Sequence, residues 1–278
     1  MIIVGVDGSV TARAAVEWAA HDAFRMRLPL RIVHAVDRTP YQISKYPDRP
    51  DALLIEGART LREAEALVHE RRPTVEVTTR QVEGTPAAVL QEQAKEATEL
   101  VIGSRGLGGF AGALLGSVSA HVAGHARCPV VVVPGGHRPV YGEVVVGVDD
   151  SPQCEPALAY AFEQAALRGA TLRAVHAWQL LVPAFAMDAP YDVDELRAAQ
   201  HKVVGGRLEA AHARYPQVTV VESDVSATPV DALVEASGRA DLLVVGSHGR
   251  GALGSMLLGS VSRGLLHHAH CPVAVVRT

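Results

Sequence analysis

A glycine-rich stretch occurs twice in this chain, at a constant separation. Residues 103–117 read GSRGLGGFAGALLGS and residues 246–260 read GSHGRGALGSMLLGS. Gly103, Gly106, Gly116 and Ser117 recur as Gly246, Gly249, Gly259 and Ser260, each 143 positions later, and Cys128 recurs as Cys271 at the same offset. No other feature restricts the fold as strongly. A repeat of this length in 278 residues makes two units, each about 140 residues and large enough for its own core. The expected boundaries are 1–134 for the first unit, 135–142 for a linker dense in Gly and Pro, and 143–278 for the second.

Within each unit, short apolar runs alternate with segments of helical period. In the first, IIVG, LRIVHAVD (30–37), TVEVTTRQV (74–82), ELVIG and PVVVV (129–133) read as strands. A helix with an apolar stripe at Ala12, Ala15, Val16, Ala19, Ala20 and Ala23 follows the first strand. Thr85-Pro86 opens a later helix with a cap residue followed by proline. The second unit repeats the order: EVVVGVDDS matches the opening IIVGVDGS, VTVVES (218–223) is a strand, Thr228-Pro229 opens a helix, and PVAVV closes the chain. Strands alternating with helices predict an α/β fold, with a parallel sheet covered on both faces in each unit. The closing strands PVVVV and PVAVV are apolar and expected at sheet edges that need covering. Pairing with each other inside one chain is one solution, and a dimer of such chains is expected to cover further surface.

The glycine stretch follows a strand and runs into a helix, and anion binding is the chemistry that uses such a sequence. Glycine lets successive backbone N–H groups converge on a ligand, and the first N–H groups of a helix are unpaired and partly positive. A phosphate chain would satisfy both. The plain alternative is an empty turn that lets strand and helix pack closely. In open sheets, ligands lie beyond the carboxyl ends of strands where strand order reverses. If the first and fourth strands are neighbours, Asp7 faces the Gly103–Ser117 loop, and Asp149 faces Gly246–Ser260. Each Asp has the plain alternative of a solvated loop residue or helix cap.

Other signals narrow the reading. The net charge of −4, from 26 Lys and Arg against 30 Asp and Glu, offers no electrostatic reason for a nucleic-acid or anionic-membrane partner. No apolar segment approaches the roughly 20 residues of a spanning helix, and the opening run lacks a charged leader, so a cytoplasmic location is expected. Cys128 and Cys271 read as small buried residues, and Cys154, which has no counterpart, as a surface or helix thiol. The run HHAH at 267–270 suggests metal, but only His268 has a counterpart, His125. Both are expected at helix C-termini, where the dipole favours a cation. His34 and His176 match each other and read as core histidines. No G-x4-G-K-[ST] is present, and the turn after each first strand carries Asp where a dinucleotide fingerprint would carry glycines.

GVDGS and GVDDS, each paired with G-x2-G-x9-G-S and each followed by a CPV strand, resemble the universal stress protein family in its tandem form. The resemblance covers nearly the whole chain. It implies two tandem flavodoxin-like, Rossmann-like domains, each a five-stranded parallel sheet of order 3-2-1-4-5. It also implies ATP binding, one molecule per domain, with any Mg²⁺ carried on the phosphates. By position, phosphates would meet Gly103, Ser104, Arg105, Gly106, Leu107, Gly108 and Gly109. In the second copy they would meet Gly246, Ser247, His248, Gly249, Arg250, Gly251 and Ala252. Gly116, Ser117, Val118 and Ser119, and Gly259, Ser260, Val261 and Ser262, would complete each cradle. Asp7 and Asp149 would meet ribose, Gly5 and Gly147 would let the nucleotide approach, and Ala35 and Ala177 would meet adenine through backbone groups. The last pair has the alternative of plain core alanine. A regulator or sensor in stress response is expected, with at most weak ATPase activity, because no general base, arginine finger or metal carboxylate pair stands beside the loop in either copy. A slow phosphotransferase and a nucleotide-independent interaction module are the alternatives. Valine at Gly106 and Gly249 is expected to collide with phosphate and abolish binding.

Overall fold

The computed structural model describes residues 1–38, 49–108, 115–136, 139–151, 154–178, 204–249 and 258–277. The first repeat contains β1 (Ile2–Gly5), α1 (Val10–Met26), β2 (Leu30–Val36), α2 (Arg49–Arg71), β3 (Val77–Glu83), α3 (Pro86–Gln93), β4 (Glu99–Gly103), α4 (Ser117–His125) and β5 (Val130–Val133). The second contains β6 (Glu143–Gly147), α5 (Cys154–Arg168), β7 (Thr171–Trp178), a helical stretch over 204–212, β8 (Val220–Ser226), α6 (Pro229–Ser237), β9 (Leu242–Gly246), α7 (Ser260–His268) and β10 (Val273–Val276).

All ten strands join one sheet, in the order β3-β2-β1-β4-β5-β10-β9-β6-β7-β8. Each repeat is therefore parallel with its own strands ordered 3-2-1-4-5, and the two meet where β5 and β10 pair antiparallel. Val131 faces Ala274 at the centre of that seam. The apolar edges of PVVVV and PVAVV thus cover each other inside one chain, which removes the edge hazard each would carry alone.

The two faces of the sheet are closed by different helices. One layer holds α1, α2, α5 and the 204–212 stretch, over Val4, Val131, Val146 and Ala274. The other holds α3, α4, α6 and α7, over Ile3, Val132, Val145 and Val275. Alternate residues of one strand serve opposite faces, as the period of two requires. Both cores contain residues from both repeats.

Helix starts follow the sequence signals unevenly. Ser9 caps α1, accepting from the Ala12 N–H at 3.2 Å, and Thr228 caps α6, accepting from the Asp231 N–H at 3.1 Å. Thr85 precedes Pro86 at the start of α3 but makes no side-chain cap bond. Strands β3 and β8 begin later than the apolar alternation suggests. Val75 and Val218 are buried, but their N–H groups bond back to Arg72 O and Tyr215 O in turns, so pairing with β2 and β7 starts only at Val77 and Val220. The linker is tied down by Asp241, whose carboxylate accepts the N–H groups of Tyr141 at 2.7 Å and Gly142 at 2.8 Å.

Cys154 is not a surface thiol. It opens α5, is buried, and its Sγ lies 3.9 Å from Gly147 O. Burial pushes its thiol up, and pushes that of Cys128 up to about 11, so neither is a ready thiolate at neutral pH.

Candidate functional site

The site of the first repeat lies at the carboxyl ends of β1 and β4, which are hydrogen-bonded neighbours. On either side of this pair the connections run in opposite directions, to β2 and to β5, so this is the switch point of the sheet. A cavity of about 310 Å³ opens there. Its apolar wall includes Val33, Ala35, Leu90 and Ile102, and its rim runs from Arg105 to Gly108 and on to Gly116–Ser119. That volume is at the small end of the range, from about 300 to 1,000 Å³, usual for ligand pockets.

Asp7 binds the loop directly. Its Oδ1 accepts the Ser9 N–H at 3.0 Å, and its Oδ2 accepts the Leu107 N–H at 3.0 Å. The carboxylate therefore bridges the β1–α1 turn and the glycine loop, and both Asp7 and the loop line the cavity. Asp149 repeats part of this, with Oδ1 accepting the Ser151 N–H at 3.0 Å.

At Gly103, Gly106 and Gly249 it is close contact, not left-handed backbone, that disfavours a side chain. None of Gly103, Gly106, Gly116, Gly249 and Gly259 has positive φ. A Cβ on Gly106 would lie 2.5 Å from Asp7 Oδ2, and one on Gly249 would lie 2.7 Å from Asp149 Oδ2. A valine there strikes the protein's own carboxylate before any phosphate arrives, so its effect on binding could not be assigned to the ligand. A Cβ on Gly103 would lie 2.7 Å from the Thr11 carbonyl carbon, against the backbone of α1. Gly5 lines the cavity, and Gly5 and Gly147 also make room for Leu90 and Leu233, whose Cδ1 atoms would each be 2.9 Å from an added Cβ.

The serines divide by role. Ser119 and Ser262 are buried, and their hydroxyls donate to Gly103 O at 2.8 Å and Ser247 O at 3.1 Å. They lock the loop to the helix and have no proton left for a ligand. Ser104 and Ser247 are buried too, their N–H groups taken by Val133 O and Val276 O, each at 2.8 Å. Ser117 and Ser260, in contrast, are exposed at the first positions of α4 and α7. Both helices have glycine at the cap, Gly116 and Gly259, and among the described residues no side chain makes a cap hydrogen bond there. Those starts, with Val118 and Val261 in the first turn, retain the partial positive charge that suits an anion.

Arg105 and Gly108 are exposed on the loop, and a Cβ on Gly108 would meet nothing within 4 Å. His248, the counterpart of Arg105, has its Nδ1 3.0 Å from Ser247 Oγ. Ala35 lines the cavity, and Ala177 holds the matching position on β7, opposite Val225 as Ala35 is opposite Val82. Gly246 ends β9 opposite Val276. Gly109, Arg250, Gly251 and Ala252 lie outside the described residues. Two residues that the sequence reading missed also reach the loop: Ser9 Oγ, at 3.3 Å, and Thr11 Oγ1 both donate to Arg105 O. Their signal in the sequence is only that they follow Asp7 by two and four residues.

The histidines stand apart from the cavity. His125 and His268 occupy the last turns of α4 and α7. His34 has Nδ1 2.9 Å from Val6 O, and buried His176 has Nδ1 3.0 Å from Asp224 Oδ1. Among the described residues, no three His, Cys, Asp or Glu side chains group as metal ligands, and no helix is long and apolar enough to cross a membrane.

Comparison with known proteins agrees over the whole chain. The model of the universal stress protein family matches residues 1–134 and again 141–277. Universal stress protein Rv2005c of Mycobacterium tuberculosis is 38% identical over 296 residues, spanning 99% of this chain and 96% of the relative. Universal stress protein Rv1996 of the same organism is 35% identical over 302 residues, spanning 99% and 94%. A crystal structure of a universal stress protein from Archaeoglobus fulgidus superposes with a TM-score of 0.72 at 22% identity, covering 99% of this chain and 96% of that one. A strand order of 3-2-1-4-5 repeated within one sheet, an Asp on a glycine loop in each copy, and these matches lead to one conclusion: the chain belongs to the universal stress protein family, with two copies of its domain in tandem.

Proposed function

We propose that the protein binds ATP, one molecule per repeat, and acts as a nucleotide-dependent regulator in stress response. The observation that carries this reading is the meeting of Asp7, the glycine loop and the uncapped start of α4 around one cavity at the switch point of the sheet. The residues fit each part of the ligand. Val33, Ala35, Leu90 and Ile102 offer an apolar wall to a base, Asp7 has lone pairs left for ribose hydroxyls, and the loop with Ser117 and Val118 offers N–H groups to phosphates. Binding would hold the β1–α1 turn, the loop and α4 in one arrangement, which is the physical content of a switch. Mg²⁺, where present, would travel on the phosphates, as is usual for this ion.

Catalysis has weaker support than binding. Arg105 is the one cation described on the first loop, and its counterpart is His248, so the copies share no charged group for transition-state stabilisation. Turnover well below the roughly 10 s⁻¹ of a typical enzyme is expected.

Mass spectrometry of the small molecules released by heating freshly purified protein should find ATP or its diphosphate. Added ATP at 100 times its Kd should stabilise each site by about 2.7 kcal/mol, raising Tm by several degrees in a chain of this size. A chain that releases no nucleotide and shows no ATP-dependent change in Tm is a nucleotide-independent module, and the reading fails.

A further inference from the structure

Two hydroxyls at the start of α1 converge on one carbonyl near the beginning of the glycine loop. Thr11 Oγ1 and Ser9 Oγ both donate to Arg105 O. Thr11 is only 6% exposed, so its bond is shielded from competing water. No peptide bond in the described chain is cis, and in a trans peptide the C=O and the following N–H point in opposite directions. Holding Arg105 O against α1 therefore turns the Gly106 N–H away from α1. Gly106 lines the cavity, and among the described residues nothing accepts its N–H. The next N–H along, that of Leu107, is already taken by Asp7.

The second repeat is built differently at this point. Ser151, the counterpart of Ser9, donates its hydroxyl to Asp149 Oδ1 at 2.5 Å. Arg207 holds the β6–α5 turn instead, donating to Ser151 O at 2.7 Å and Asp150 O at 2.9 Å. In sequence, glutamine at 153 stands where the first repeat has Thr11.

We infer that Thr11 is a positioning residue that presets the Gly106 N–H as a phosphate donor, and that the two nucleotide sites are consequently unequal, the first being the tighter. This rests on the nucleotide reading above. The energetic source is pre-organisation: a donor already aimed costs nothing to order when the ligand arrives. Thr11 itself touches no ligand in this scheme; it acts through the Arg105–Gly106 peptide.

The test is a titration of the full chain, ¹⁵N-labelled, with Mg-ATP and separately with sodium tripolyphosphate, following the amides of Gly106 and Gly249. Gly106 should respond to both probes, at lower ATP concentration than Gly249. Thr11→Val, close to isosteric but without the hydroxyl, should weaken the Gly106 response about three- to tenfold, the worth of one hydrogen bond. It should leave the Gly249 curve where it was. Thr11→Ser should restore the first site, and Thr11→Ala serves as the hydroxyl-free variant if valine perturbs folding. Unchanged affinity in a folded hydroxyl-free variant overturns the assignment. So does a Thr11→Ser variant as weak as Thr11→Val, or a wild-type chain in which Gly249 saturates first. A wild-type Gly106 silent to both probes instead sinks the nucleotide reading of the first repeat.

Discussion

Asp7 follows β1 and Glu99 opens β4, and their surroundings give these two carboxylates opposite tasks. Asp7 is half-buried and accepts two backbone N–H groups, so its charge is used to hold a loop. Glu99 is fully buried at the other end of β4 and accepts the Tyr160 hydroxyl at 2.6 Å, while its Oε1 finds no partner among the described residues. Burial, with the nearby Asp22 charge adding to it, raises its carboxyl to about 8. The raised value favours the acid form in the folded chain, so its contribution is fully present below the unfolded value of about 4.5 and is lost as pH rises through about 8. Glu99→Gln keeps an acceptor for Tyr160 and cannot ionise. Its stability by denaturant melts should therefore fall less than that of wild type between pH 5 and pH 8.5; parallel pH profiles would show that Glu99 is not the buried acid. The matching position in the second repeat, Leu242, is simply apolar. Beside Glu99, Arg168 donates to both oxygens of Asp22, at 2.7 and 2.9 Å, across the boundary between repeats, and Arg25 adds a bond at 2.9 Å. Arg168→Met should cost about 3 kcal/mol, since it leaves a buried charge short of its main partner. Combined with Asp22→Asn it should cost clearly less than the two changes summed, as a double-mutant cycle by denaturant melts would reveal.

At the scale of elements, the β1–α1 turn and the glycine loop are one unit. Hydroxyls of Ser9 and Thr11, the Asp7 carboxylate and the Gly103 contact with α1 all cross between them. A methyl group at Gly106 enters the space of Asp7 Oδ2. Gly106→Ala should thus destabilise the ligand-free protein by about 1–3 kcal/mol, the usual cost of overpacking. In an Asp7→Ala background the added cost should largely disappear. An equal cost in both backgrounds, by thermal melts without nucleotide, would locate the strain elsewhere. Gly103→Ala has no such rescue, because its methyl would meet the backbone of α1, which cannot be trimmed.

For the whole molecule, the antiparallel β5–β10 seam decides the architecture. It fuses two parallel five-stranded sheets and leaves β3 and β8 as the outer edges. Because each helical layer packs on strands of both repeats, the halves should unfold together. A single denaturant transition, coincident by far-UV circular dichroism and tryptophan fluorescence, is expected. Two separated transitions would show independent halves. Val132 pairs with Val273 across the seam. Because the carbonyls of Pro129 and Val133 turn the other way, to β4, the Val132 N–H is directed to β10. Val132→Pro removes that seam hydrogen bond in the middle of a sheet and should lower stability and separate the melting of the repeats. With the closing strands already covering each other, a dimer of chains would need a different surface, and light scattering decides whether one forms.

The sequence by itself determined what repeats locally. Apolar periodicity set the alternation of strands and helices, and the constant offset set their duplication. The Asp after the first strand and the glycines after the fourth could be assigned to one site because parallel βαβ order brings those strand ends together. Tertiary structure decided everything that depends on side chains meeting across the fold. The spacing of Gly5 and Gly106 said that a Cβ was unwelcome, but only packing showed that Leu90 and Asp7 are what it would strike. Thr11 and Ser119 look alike as small hydroxyl residues near a loop, and only the carbonyl each faces makes them its anchors. Arg168 and Asp22 are 146 residues apart in the chain. No local pattern encodes their pairing, because it exists only once the seam has brought α1 and α5 side by side.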